Sequence, residues 1–198
     1  MNRWIGKVAV VTGASSGIGA AIVKDLAKAG VITIGLARRK ERIHEIIASL
    51  PDDIKPNLHA IKCDVSKESD IIATFREIEE KFGGVDILVN NAGIARETTL
   101  TAPGNSQAIT DVVNTNLFGL IFCTREAVQS MTKRSVDGHV IHINSILGHS
   151  IPFLRRSKQD TGININIYRA TKYAVTAITE THRQEFIHLG TKIKITVS

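Results

Sequence analysis

Short β-branched apolar runs recur along the chain at residues 8–11, 31–36, 58–61, 87–89, 140–143 and 193–197. Between them, at 18–29, 39–50, 67–82, 106–133 and 168–189, apolar residues return every three or four positions. The runs are too short for helices and carry apolar residues for both faces of a pleat, which predicts strands of a parallel sheet. The longer segments predict amphipathic helices that cover that sheet on both sides, an α/β architecture in three layers. Gly30, Pro51-Asp52-Asp53 and Gly83-Gly84 follow the first three helical segments as stop signals. No repeat, low-complexity tract or Pro/Ser-rich linker interrupts the pattern, so residues 1–198 are expected to form one unit. The stretch 149–167 alone lacks a period and is too long for an ordinary loop, so it is expected to be functional or mobile.

Composition changes this picture little. Of 198 residues, 43% are apolar and 22% charged, the ordinary range for a folded domain with its own core. The net charge of +6 would suit a polyanion. Basic residues are nevertheless scattered, and the one tight cluster, Arg38-Arg39-Lys40-Glu41-Arg42, has no interleaved aromatics, so no nucleic-acid partner is expected. Cys63 and Cys123 are too few for a disulfide framework or a cysteine-rich metal site, and read as core thiols in a reducing compartment. The opening apolar run is too short for a signal peptide or a membrane span, so a soluble, cytoplasmic protein is expected.

The first predicted strand runs into Thr12-Gly13-Ala14-Ser15-Ser16-Gly17-Ile18-Gly19 and then a helix. In that context the glycines suit a dinucleotide loop: Gly13 for the tight turn, Gly17 for close approach of amides to a pyrophosphate, and Gly19 for packing of the helix, whose N-terminus faces the negative charge. A cofactor with a free ribose 2′-hydroxyl is usually gripped by an acidic residue about 20 positions on. The second strand ends instead in Leu36-Ala37-Arg38-Arg39. Guanidiniums recognise phosphate in a planar, bidentate way, so NADP(H) is expected over NAD(H), with Arg38 as the better-placed contact, Arg39 beside it and Ser15 adding a hydroxyl.

Tyr168 and Lys172 stand four residues apart, on one face of a predicted helix and about 6 Å apart along its axis. A free tyrosine titrates near about 10 and is a poor base, and a neighbouring cation favours the phenolate. Alone, such a pair is usually a solvated surface pair. Here it accompanies Thr12 to Gly19, Asp64-Val65 after the third strand, Asn90-Asn91-Ala92-Gly93 after the fourth, Asn114-Thr115-Asn116-Leu117-Phe118-Gly119, and Asn144-Ser145 after the fifth. In order and spacing the set resembles the short-chain dehydrogenase/reductase family over essentially the whole chain. Residues 143–149 and 168–180 look most like its insect farnesol-dehydrogenase-like branch.

The resemblance implies a Rossmann-type doubly wound parallel sheet with strand order 3-2-1-4-5-6, and an NADP(H)-dependent oxidoreductase that interconverts an alcohol and a carbonyl on an apolar, isoprenoid-, steroid- or retinoid-like substrate. It implies that Tyr168 is the general acid/base, that Lys172 assists it and holds the nicotinamide ribose, and that Ser145 binds the substrate oxygen. Asn116 would complete a proton relay through water. Gly13, Ser15, Ser16, Gly17, Ile18, Gly19, Arg38, Arg39, Asp64, Val65, Asn91, Ala92 and Gly93, with Tyr168 and Lys172, would bind the cofactor, Asp64 at the adenine. It implies a homo-dimer or tetramer. Two departures stand out: 23 residues separate Ser145 from Tyr168, more than is usual in the family, and the chain ends at Ser198 where the family pattern continues to a seventh strand. The expectation is therefore a C-terminally truncated domain, with a catalytically silent NADP(H)-binding isoform or fragment as the alternative.

Other polar residues are assigned ordinary roles. His139 and His142 face opposite sides of a strand and cannot share a metal. His182, Arg183 and Glu185 read as a solvated helix face or subunit contact, and His149 as a loop residue near Ser145. Pro152-Phe153-Leu154 suit either a substrate wall or a tether to the core.

Overall fold

The computed structural model describes residues 2–151 and 166–198; Pro152, Phe153 and Leu154 lie outside them. Six strands, β1 (Val8–Thr12), β2 (Ile32–Ala37), β3 (Leu58–Lys62), β4 (Ile87–Asn90), β5 (His139–His142) and β6 (Lys194–Val197), form one sheet in the order β3-β2-β1-β4-β5-β6, every pair parallel. The helices between them are α1 (Gly17–Lys28), α2 (Lys40–Ala48), α3 (Glu68–Phe82), α4 (Ser106–Val113), α5 (Gly119–Lys133) and α6 (Asn166–His188). This is the doubly wound Rossmann arrangement.

Strand β1 is buried along its whole length because it has a layer on each side. Val8 and Val10 enter one core with Leu88, Cys123, Met131, Val140 and Phe186; Ala9 and Val11 enter the other with Val23, Ala27, Ile43 and Val89. Side chains alternate across a strand, so a run apolar at every position is what a sheet covered on both faces requires. Both cysteines are buried, unpaired thiols, and among the described residues no helix is long and apolar enough to cross a membrane.

One predicted element is divided. The stretch read as a single helix over 106–133 contains a π-helical turn, Asn114–Phe118, between α4 and α5. A π turn widens the helix by one residue and is invisible to a search for a 3.6-residue period. It sets the buried Asn116 toward the loop after β4.

Candidate active site

The order of strands reverses between β1 and β4, so the chain leaves these two neighbours in opposite directions and opens a crevice beyond their C-terminal ends. A cavity of about 490 Å³ occupies it. Its lining includes Gly13, Ser15, Ser16, Gly17 and Ile18 from the loop into α1, Arg38 and Arg39 after β2, Asp64 and Val65 after β3, and Asn91, Ala92 and Gly93 after β4. Four segments far apart in the sequence therefore share one wall. Cys63, Ile94 and Thr115 also line it, and nothing in the sequence marked them as cofactor contacts.

Gly13 is required twice over: its φ of +67° is left-handed, and a Cβ would lie 2.9 Å from Ala92 Cα. Gly19 does not line the cavity. A Cβ there would stand 2.4 Å from the Gly13 carbonyl oxygen and 2.5 Å from Asn91 Nδ2, so this glycine lets α1 approach the loop. The β1 and β4 ends are clasped across the crevice. Thr12 Oγ1 accepts the amides of Asn91 and Ala92, each at 3.0 Å, and Asn91 Nδ2 donates to the carbonyls of Thr12 at 2.9 Å and Gly13 at 3.2 Å. Asp64 Oδ1 accepts from the amide and hydroxyl of Ser66, which fixes the turn leaving β3.

The cavity tests whether a dinucleotide fits these residues. Its open glycine-lined wall at a helix N-terminus suits a pyrophosphate, and Gly17 has nothing within 4 Å of where a side chain would project. The exposed Arg38 and Arg39 bring positive charge to the β2 end, and no carboxylate stands at that strand end. The residues present fit an adenine dinucleotide.

Ser145, Tyr168, Lys172 and Asn116 lie outside that cavity's lining, around α6. Ser145 caps a 3₁₀ turn, Ile146–Gly148, its Oγ accepting the Leu147 amide at 3.2 Å. That turn is fastened to α6: Thr176 Oγ1 donates to the Gly148 carbonyl at 3.0 Å and accepts from Asn144 Nδ2 at 3.0 Å. The Lys172 ammonium is buried, donates to the Ile143 carbonyl at 2.8 Å and stands 5.6 Å from the centre of the Tyr168 ring. Burial lowers its pKa below the ordinary lysine range. The turn that Ser145 caps is thus fastened to the same helix that carries the Tyr/Lys pair.

Asn116 joins two elements through its side-chain amide. Its Oδ1 accepts the Ile94 amide at 2.8 Å, and its Nδ2 donates to the Ile94 carbonyl at 2.9 Å and to Thr171 Oγ1 at 3.2 Å. With both amide hydrogens committed, the side chain clamps the loop after β4 to α6. His182 departs from the expected solvated face: it is half-buried, its ring centroid 5.8 Å from that of the fully buried His142, and its Nδ1 is buried without a partner. It is not on a solvated face. His139 and His142 do point to opposite sides, His139 toward the Thr196 hydroxyl.

The short chain dehydrogenase family model matches residues 7–198. The chain is 58% identical over 196 residues to farnesol dehydrogenase of Aedes aegypti, spanning 99% of this chain and 77% of that protein. It is 43% identical over 198 residues to dehydrogenase/reductase SDR family member 11 of Mus musculus, spanning 99% of this chain and 73% of that protein. Among solved structures, a 3-ketoacyl-(acyl-carrier-protein) reductase from Brucella melitensis complexed with NADH matches with a TM-score of 0.82 and 28% identity, over 98% of this chain and 74% of that one. An alcohol dehydrogenase from Thermococcus sibiricus complexed with 5-hydroxy-NADP matches with a TM-score of 0.82 and 25% identity, over 96% and 74%. With strand order, glycine loop and matched length in agreement, the chain belongs to the short chain dehydrogenase family and has the oxidoreductase fold of that family.

Proposed function

We propose that this protein is an NADP(H)-dependent oxidoreductase that interconverts an alcohol and a carbonyl compound, acting on an apolar substrate of the isoprenoid, steroid or retinoid kind. The observation that carries the reading is the convergence of the glycine loop, Arg38, Arg39, Asp64 and Asn91 to Gly93 on one cavity, with Tyr168 and Lys172 facing each other on α6. Structural neighbours hold either NADH or an NADP derivative, so the cofactor preference rests on the chain's own arginines. The relative named farnesol dehydrogenase supports the isoprenoid class. Two buried thiols support a reducing, cytoplasmic setting, and we take the working form to be a homo-dimer or tetramer.

When bound, the nicotinamide accepts or supplies the hydride. The remaining tasks fall to side chains. Ser145 Oγ already accepts from Leu147, which orients the hydroxyl to give its proton to the substrate oxygen. Tyr168 takes the alcohol proton during oxidation and returns it during reduction. Lys172, anchored on the Ile143 carbonyl, places positive charge beside the ring as negative charge develops on the phenol oxygen. Asn116 acts by holding Ile94 and Thr171, and so the loop that borders the cofactor cavity.

The test is to mix the purified protein with NADP⁺ and farnesol, then with retinol and a hydroxysteroid, and follow formation of reduced nicotinamide. Turnover of at least one alcohol is expected. Tight NADPH binding with no turnover of any alcohol or of the matching carbonyls would instead support a silent binding protein.

A further inference from the structure

Three buried polar atoms that take no part in the proposed reaction have no hydrogen-bond partner and belong to successive neighbours running from β4 through β5 to α6: Asn90 Oδ1, His142 Nε2 and His182 Nδ1. The rest of the Asn90 amide is fully committed. Nδ2 donates one hydrogen to Thr124 Oγ1 at 2.9 Å and the other to His142 Nδ1 at 3.2 Å. With the Asn90 amide in this orientation, His142 accepts at Nδ1 and carries its proton on Nε2. Its ring is fully buried, and burial, with His182 and Lys172 adding in the same direction, keeps it neutral.

The backbone beside this pair departs from the sheet pattern. In a parallel ladder a residue donates to one partner and accepts from the residue two positions further along the same strand. The Ile143 amide donates to the Asn90 carbonyl at 2.9 Å, so the Ile143 carbonyl would next accept the Ala92 amide. Thr12 Oγ1 has taken that amide, together with that of Asn91. The Ile143 carbonyl leaves the ladder, and Lys172 Nζ occupies it instead at 2.8 Å. Where that carbonyl points depends on the last rung between β4 and β5, and the Asn90–His142 side-chain bond ties that same rung.

We infer that His142 and Asn90 are positioning residues for the Lys172 ammonium: their hydrogen bond pins the last β4–β5 rung so that the Ile143 carbonyl is presented to Nζ. The significance of that anchor rests on the role proposed for Lys172 beside Tyr168. The groups facing the ammonium are Tyr168 on its own helix and His142 from β5, with His182 beyond. Burial is what lowers the lysine, and the carbonyl works against it by favouring the charged form.

The experiment follows the Lys172 ¹⁵Nζ resonance against pH by NMR of lysine-labelled protein, assigned with Lys172→Met, and needs neither cofactor nor turnover. His142→Gln moves the acceptor away from the Nδ1 position, Thr124→Val removes the second support of the Asn90 amide, and His142→Asn puts an oxygen close to where Nδ1 stood. The Gln and Val variants are expected to move the lysine midpoint to lower pH by about half a unit or more, a fraction of a charge-assisted hydrogen bond. His142→Asn is expected to restore it. Folded Gln and Val variants with the wild-type midpoint, or an Asn variant as far displaced as Gln, would overturn the inference. If thermal melting shows that His142→Gln does not fold, Thr124→Val, which removes one hydroxyl, decides alone. A displaced midpoint in a protein that turns over no alcohol would refute the proposed function and leave this inference standing; turnover with an unmoved midpoint would do the reverse.

Discussion

Arg38 stands at the end of β2, at the rim of the cavity and with no carboxylate at that strand end. Arg38→Ala is expected to weaken NADPH binding by about 1.5 to 3 kcal/mol, the range of a charge-assisted contact, and NADH binding far less. Calorimetric titration of both nucleotides checks this, and equal losses would contradict it. His142 carries a second expectation. Burial pushes its pKa down from 6.5 to about 3, so between those values the unfolded chain binds a proton that the native chain does not. Stability is then whole above 6.5 and declines as the pH falls toward 3. From about pH 7 to about pH 5 this residue should cost about 2 kcal/mol, measured by urea unfolding. His142→Asn should lose correspondingly less over the same interval, and an equal loss would contradict the assignment. The glycine loop, Arg38 and the Tyr168/Lys172 pair were legible because each motif lies in a contiguous stretch. The partners of His142 were not, since Asn90 and Thr124 are brought to it only by sheet pairing and helix packing. For His182 a signal did exist: it shares the spacing of Lys172, Val175, Thr179 and Phe186, all buried along α6.

At the scale of elements, the strands and most helices followed from hydrophobic period alone, because a parallel sheet covered on both faces leaves little ambiguity. The π turn inside the stretch 106–133 did not, since an added residue changes backbone bonding without disturbing the apolar pattern. Nor did the clasp between β1 and β4, where one threonine hydroxyl accepts two amides about eighty residues away. Thr12→Val keeps the shape and removes that acceptor. Two amides left without a partner should cost about 2 to 4 kcal/mol of stability, read by chemical denaturation, and should weaken nucleotide binding because Gly13 and Ala92 border the same cavity. A variant as stable as wild type would show that the clasp contributes nothing. The Thr176 bridge between the Ser145 turn and α6 is of the same kind: its partners are distant in sequence, and its threonine looks ordinary in the chain.

Across the whole molecule, the strand order does the assembling. It places the C-terminal ends of β1, β4 and β5 side by side, so the glycine-lined cavity opens beyond β1 and β4 while Ser145 follows β5 toward α6. The sequence resemblance anticipated this order and the family match agrees with it. Substrate choice was least legible, because the segment between the Ser145 turn and α6 has no period to read and its spacing departs from the family pattern. The central claim is that Tyr168 moves the substrate proton in an NADP(H)-dependent alcohol oxidation, and it is tested most directly by comparing kcat for farnesol oxidation in wild type and Tyr168→Phe at saturating NADP⁺. Turnover should fall by about 100-fold or more, the range for loss of a general acid/base, while NADPH affinity stays close to wild type. A Tyr168→Phe protein retaining more than about a tenth of wild-type turnover would contradict the account.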